Sequence, residues 1–392
     1  MSSTVVGVVG AGAMGGGIAQ VFARAGHPVL LGDADPEAVA RAKTAIVASL
    51  ARDVEKGRMD QAAAEDVVSR IGDAGDLSAG YGAYASCGVV VEAVLENLDV
   101  KRKLIRGLER VVSADCVLAT NTSSLSVAAI GGGSTHPDRV IGMHFFNPAP
   151  VMPLVEVIPA ITTSAHTLES TLALVAALKK TIVVATDTPG FIVNRIARPF
   201  YGESLRQLEE HIADAATIDW AMRTFGGFKM GPFELMDFIG NDVNYAVTTS
   251  VFDSFFHDPR YRPALTQRRL VEAGWYGRKR GRGYFDYTDG AQKPAPKQDE
   301  KLGKAIVDRT LAMLVNEAAD ALYLRVASAQ DIETAMTKGV NYPKGLLAWG
   351  DEIGPEVVLA RLQSLQAEYG EDRYRASPLL RQCVRDRRPL LA

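Results

Sequence analysis

Residues 4–37 read TVVGVVGAGAMGGGIAQVFARAGHPVLLGDADPE, and the glycines and one acid in this stretch decide the fold. The apolar run from Thr4 to Val9 predicts a strand. It meets turn residues at Gly10, Gly12 and Gly15, after which the spacing predicts a helix to about Ala25. A second short strand, Pro28 to Leu31, runs into Gly32 and Asp33. A GxGxxG run between a strand and a helix is a dinucleotide cradle. Gly10 permits the tight turn, Gly12 lets backbone approach a pyrophosphate, and Gly15 lets the helix lie close on the sheet. Ala13 and Met14 open the helix, whose N–H groups and positive dipole end face the phosphates. Asp33 stands 23 residues after Gly10, at the tip of the second strand, where a carboxylate accepts hydrogen bonds from both ribose hydroxyls of NAD. It would repel a 2′-phosphate, and Ala34 and Asp35 supply no arginine to hold one, so the expected cofactor is NAD.

Short β-branched runs and helices continue to alternate through CGVVVEAV, the polar helix Asp99 to Val111, DCVLATN, RVIGMHFF and LVEVI. This predicts a Rossmann-like α/β domain, a mostly parallel sheet covered on both faces. Ligands of such sheets bind at the carboxyl ends of strands, where the chain places Glu96, Asn121, Ser123 and His144. With 392 residues, 47% of them hydrophobic and 23% charged, and a net charge of -3, the chain has room for two or three domains. The charge argues against nucleic acid or an anionic membrane as the main partner. No apolar run reaches the roughly 20 residues that span a bilayer, and MSSTVVGVVG shows no export signal, so a cytoplasmic location is expected. Cys87, Cys116 and Cys383 are too few and too scattered for a disulfide framework or a CxxC metal site; they read as core thiols, and no metal is expected.

After TIVVATDTPGFIVNR the pattern turns helical from Phe191 to Leu208, with Thr188, Pro189 and Gly190 marking the switch. Residues 195–240 match residues 309–354 at a constant offset of 114: Arg195 with Arg309, Glu203 with Glu317, Ile218 with Ile332, Ala221 and Met222 with Ala335 and Met336, Gly231 with Gly345, Asp237 with Asp351, Gly240 with Gly354. The Pro- and Lys-rich DGAQKPAPKQDEK between them reads as a linker. The expected organisation is therefore a nucleotide-binding domain over 1–186, a helical module over 187–290, a linker over 291–301 and a second helical copy over 302–392. A single GxGxxG implies a single active site.

The stretch GMHFFNPAPVMPLVEVI, residues 142–158, holds one base, His144, and one acid, Glu156, in otherwise apolar sequence. A buried carboxylate needs a partner, and the histidine is the nearest candidate. An alcohol dehydrogenase needs a base for the hydroxyl proton while hydride leaves for the nicotinamide, and histidine titrates near working pH. A carboxylate on its second ring nitrogen would fix the tautomer and stabilise the imidazolium.

With TNTSSL upstream and TDTPGFIVNR downstream, this stretch resembles the 3-hydroxyacyl-CoA dehydrogenase family, and the likeness extends from Val5 to about Tyr287. The resemblance implies NAD-dependent interconversion of (S)-3-hydroxyacyl-CoA and 3-ketoacyl-CoA, with His144 as general base and Glu156 as its partner. Ser123 and Asn194 would hold the reacting oxygen, the acyl chain or the cofactor. It also implies cofactor contacts at Gly10, Gly12, Gly15, Asp33, Glu96, Lys101, Ser123, Asn147 and Lys279, and contacts to the CoA part of the substrate at Ser49, Lys56 and Ser123. The second helical copy is similar to the tandem modules of longer members, including those of the phenylacetate pathway and multifunctional β-oxidation enzymes; butanoate metabolism is a further setting. It implies a monomer with an internal pseudo-dimer of helical modules, or a homodimer. Pro153 and Thr120 depart from the family pattern, which often has lysine and serine there.

Other readings stay open. A free hydroxy acid or sugar acid is an alternative substrate, and a non-catalytic NAD-binding structural protein an alternative role. Ser123 or Ser124 is expected to cap the helix beginning at LSVAAI, and the cap is assigned to Ser124. Asn194 alone would serve as a cap or brace, and Lys279, in the basic cluster from Arg278 to Arg282, as part of a solvated face.

Overall fold

A computed structural model describes residues 4–391 and divides into two compact units, Met1–Thr188 and Pro189–Ala392. In the first unit β1 (Val6–Val9) is buried along its whole length, as expected of a parallel strand covered on both faces. It leads into α1 (Ala13–Arg24) through the glycine turn. Gly10 there has φ 101°, and a Cβ on Gly15 would stand 1.6 Å from the Gly10 carbonyl oxygen, so only hydrogen fits. The unit continues with β2 (Val29–Gly32), α2 (Pro36–Glu55), α3 (Gln61–Ser69), β3 (Ile71–Asp73), β4 (Val89–Glu92), α4 (Leu98–Glu109), β5 (Val117–Thr120), α5 (Val127–Gly131), β6 (Val140–Phe145), β7 (Leu154–Pro159), α6 (Ala165–Ala177) and β8 (Thr181–Val184). The eight strands form one sheet in the order β3-β2-β1-β4-β5-β6-β7-β8. All neighbours are parallel except β6 and β7, which are antiparallel and set His144 directly opposite Glu156.

One local expectation fails. Ser126, not Ser124, caps α5, accepting from the Ala129 N–H, and the Asp187 carboxylate accepts from the Val127 and Ala128 N–H groups. An acid 60 residues downstream thus satisfies the helix's orphan donors and moves its start beyond Ser124.

The second unit is helical: α7 (Val193–Ile196), α8 (Arg198–Glu209), α9 (Ala215–Thr224), α10 (Pro232–Ile239), α11 (Asn241–Ser254), α12 (Leu265–Glu272), α13 (Glu300–Tyr323), α14 (Ala329–Gly339), α15 (Leu346–Ile353), α16 (Pro355–Tyr369) and α17 (Pro378–Asp386). Helices α9 to α12 recur in order as α14 to α17, while α7 and α8, separated at Ala197, correspond to the latter part of the continuous α13. The local devices repeat too. Asp219 accepts from the Phe233 and Glu234 N–H groups at the start of α10, and Glu333 does the same for Leu347 and Ala348 in α15.

The two copies are joined by exchanged ion pairs. Arg195 donates to Glu317 at 2.7 Å, and its counterpart Arg309 donates to Glu203, the counterpart of Glu317, at 3.0 Å. Tyr261 and Arg260 also reach Glu317, as Tyr374 and Arg373 reach Glu203. Arg195 and Arg309 are thus each neutralised by the other copy's glutamate.

At the rim of this network Asp258 accepts from Arg375 and Arg260. Burial alone would raise its carboxyl, but the two guanidiniums bring it down to about 2. Because the folded value lies below the unfolded one, the contribution is complete above about pH 4 and lost as pH falls through about 2, roughly 1–2 kcal/mol after solvent screening. Asp258→Asn is therefore expected to lose this stability at pH 7, with the gap to the parent closing towards pH 2. Urea midpoints at both pH values check it.

Candidate active site

The antiparallel register of β6 and β7 places the His144 Nδ1 2.6 Å from the Glu156 carboxylate. Glu156 is fully buried and His144 nearly so. With the carboxylate on Nδ1, the neutral ring carries its proton there and leaves Nε2 as an acceptor. Phe146 lies tilted against the imidazole, ring centres 4.6 Å apart. The chain between the strands turns at residues 146–153 with a cis peptide before Pro148, and the Lys180 ammonium donates to the Ala149 and Met152 carbonyls, both at 2.7 Å. Gly17 of α1 faces Ala149 and Pro150 with room for little beyond hydrogen, so this turn packs on the helix that follows the glycine cradle.

The carboxyl ends of β1, β4, β5 and β6 share one edge of the sheet, and the expected polar groups gather there. Asn121, just past β5, accepts from the Phe145 N–H, tying the β5 loop to the histidine strand. Glu96 accepts from the Thr122 hydroxyl at 2.6 Å and the Ser123 N–H at 2.9 Å. Burial would raise the Glu96 carboxyl, but Lys101 and these donors hold it below the usual carboxylate range. Lys101 is buried between Glu92, 2.9 Å away, and Glu96, 3.3 Å away. In the cradle, Asp33 accepts from the Ala11 N–H at 2.6 Å and the Asp35 N–H at 2.9 Å, which fixes the carboxylate at the mouth of the glycine turn. A Cβ on Gly12 would meet nothing within 4 Å, leaving open space over the turn. These features fit a dinucleotide.

The remaining candidates lie elsewhere. Ser49, on α2, is 3.4 Å from the Gln20 amide, and Lys56 is exposed at the end of the same helix. Asn147 is exposed in the β6–β7 turn. In the second unit Asn194 lies on α7, and Lys279 is paired with Asp242 at 2.7 Å. The sequence reading missed Glu92, although VVVEAV carries the signal that exposed Glu156, an acid inside an apolar run. It also missed Asp187 and Thr122, whose partners no spacing rule connects to them.

The sequence pattern of the 3-hydroxyacyl-CoA dehydrogenase NAD-binding domain matches residues 5–188, and that of the family's C-terminal domain matches residues 190–287 and again 306–389. The chain belongs to the 3-hydroxyacyl-CoA dehydrogenase family. It is an NAD-dependent dehydrogenase with a Rossmann-like first unit followed by helical C-terminal modules. It is 38% identical to a 3-hydroxyadipyl-CoA dehydrogenase of Escherichia coli K12, over 96% of each chain. It is 40% identical to a probable 3-hydroxybutyryl-CoA dehydrogenase of Bacillus subtilis, over 72% of this chain and 96% of that one. The crystal structure of a 3-hydroxybutyryl-CoA dehydrogenase from E. coli K12 superposes with a TM-score of 0.90 at 37% identity, covering 97% of this chain and 98% of that one. No helix among the described residues is long and apolar enough to cross a membrane.

Proposed function

We propose that the protein interconverts an (S)-3-hydroxyacyl-CoA and its 3-ketoacyl-CoA, with His144 as the general base and Glu156 as the group that orients it. The observation that carries this reading is the buried 2.6 Å contact between His144 and Glu156 beside the cofactor edge of the sheet. Bound NAD supplies the hydride acceptor. In the oxidation direction the His144 Nε2 takes the hydroxyl proton as hydride leaves the same carbon, and Glu156 stabilises the imidazolium that forms. In reduction the imidazolium returns the proton to the carbonyl oxygen. Ser123 and Asn194 are read as donors to that oxygen, and Ser49 and Lys56 as contacts for the CoA portion, for which a cation suits an anionic ligand. Asp33, Glu96, Lys101, Asn147 and Lys279 complete the proposed cofactor set.

The relatives' names bracket short acyl groups with and without a second carboxylate, which supports a place in the breakdown of fatty or aromatic acids. We read the second unit as two tandem C-terminal modules whose exchanged ion pairs let one chain serve as its own partner, favouring a monomer. The three buried thiols are compatible with a reducing, cytoplasmic setting.

Purified protein is expected to oxidise NADH when given acetoacetyl-CoA. Failure with every 3-ketoacyl-CoA, joined to turnover of a free hydroxy acid, would overturn the substrate class.

A further inference from the structure

Glu92 ends β4, the strand between β1 and β5, and is fully buried. Its neighbours across the sheet are Val9 and Thr120, neither of which carries charge. Both of its carboxylate oxygens accept from the Lys101 ammonium at 2.9 Å, one also accepts from the Thr120 hydroxyl, and the other from the Val94 N–H at 3.2 Å. Lys101 is as deeply buried, and its other acid is Glu96, 3.3 Å away.

Stability does not call for this row of acid, base and acid. Apolar residues of similar volume hold a sheet at least as well as a buried ion pair, whose attraction is largely offset by desolvation. What the pair provides is position, because two parts of the cofactor site meet at Glu92. On one side, the Val94 N–H that it holds belongs to the backbone against which the glycine turn rests. A Cβ on Gly10 would stand 2.5 Å from the Ala93 carbonyl oxygen and 3.1 Å from the Val94 nitrogen. On the other side, Lys101 passes the constraint to Glu96, which accepts from the Thr122 hydroxyl and the Ser123 N–H and so sets the loop that follows β5.

We infer that Glu92 is a positioning residue for the dinucleotide: it anchors Lys101, so that Lys101 and Glu96 stand where the cofactor meets them. Fully buried, Glu92 touches no ligand itself and takes no part in proton or hydride transfer. The assignment rests on the proposed cofactor roles of Lys101 and Glu96. Because Glu92 acts through Lys101, the effects of the two residues on cofactor affinity are coupled rather than additive.

The test is a double-mutant cycle on the full-length protein, read by direct titration with NADH, by melting temperature and by turnover of acetoacetyl-CoA. Glu92→Gln is expected to raise the Kd for NADH by about 10- to 100-fold, while kcat at saturating NADH changes by less than about threefold. Its melting temperature should fall, since Lys101 keeps only Glu96. In Glu92→Gln/Lys101→Met the melting temperature should recover, yet the Kd should equal that of Lys101→Met alone. An unchanged Kd in Glu92→Gln would overturn the inference, and so would a Glu92 effect that persists undiminished in the Lys101→Met background. Should Glu92→Gln not fold, Thr120→Val decides: it removes one bond to Glu92 and no charge, and is expected to raise the Kd by about 3- to 10-fold, an unchanged value overturning the inference. A parent protein that binds NADH but reduces no 3-ketoacyl-CoA sinks the proposed activity and leaves the comparison of Kd values standing.

Discussion

Glu156→Gln is expected to lower turnover by about 10²- to 10⁴-fold while leaving NADH affinity near normal. The glutamine amide can still meet the His144 Nδ1, but as a neutral group it no longer stabilises an imidazolium. If its nitrogen faces the ring, it forces the proton onto Nε2, the atom that must accept. The hydrogen bond joins directly opposed residues of two buried strands, so replacement by an isostere leaves the sheet intact and separates chemistry from packing. Stopped-flow or steady-state oxidation of NADH with acetoacetyl-CoA gives the number. Near-normal turnover would return the pair to a structural role.

The largest stability effect is expected at Glu317. This carboxylate accepts from Arg195 and Tyr261 and pairs with Arg260, all buried or nearly so. Burial alone would raise it, but Arg260 and Arg195 hold it below the usual range, so it is charged at neutral pH. Glu317→Ala leaves Arg195 with Asp320 as its acid and Arg260 with Asp320 and the rim Asp258, and is expected to cost about 3–5 kcal/mol. Glu203→Ala should cost a similar amount, because Arg309 and Arg373 lose their shared partner. Denaturant titration of both variants checks this, and a loss under about 1 kcal/mol in either would show that hydrophobic contacts alone hold the copies together.

The elements that could be read from sequence are those whose signal is local or periodic. The glycine cradle announces itself because a strand, a turn and a helix follow one another within about 20 residues, and the close approach of Gly15 to Gly10 admits no other side chain. His144 and Glu156 could be paired because a short proline-rich connection leaves two strands little choice but to lie side by side. The helical repeat was legible as matched residues, but not the exchange. Identity at an offset of 114 says that Arg195 resembles Arg309, and nothing in it says that Arg195 bonds to Glu317 rather than to its own copy's Glu203. The α5 cap failed for the same reason: Asp187 reaches back from the far end of the unit to satisfy N–H groups that a local rule gives to Ser124. Glu92 shows a different lapse, since the buried-acid reasoning applied to Glu156 applied equally to it.

The exchanged ion pairs also order events during synthesis. The first unit is complete once residue 188 has emerged, and its strands can close while translation continues. The next helices cannot do the same, because the acid that neutralises Arg195 arrives 122 residues later and the tyrosine that reaches Glu203 arrives 171 residues later. At about 5–20 residues per second, Arg195 waits roughly 6–24 s for its acid, with the apolar face of its helix uncovered. The nascent chain is then a folded nucleotide-binding head trailing an unfinished helical half, the stage at which chaperone binding and aggregation compete most strongly with completion.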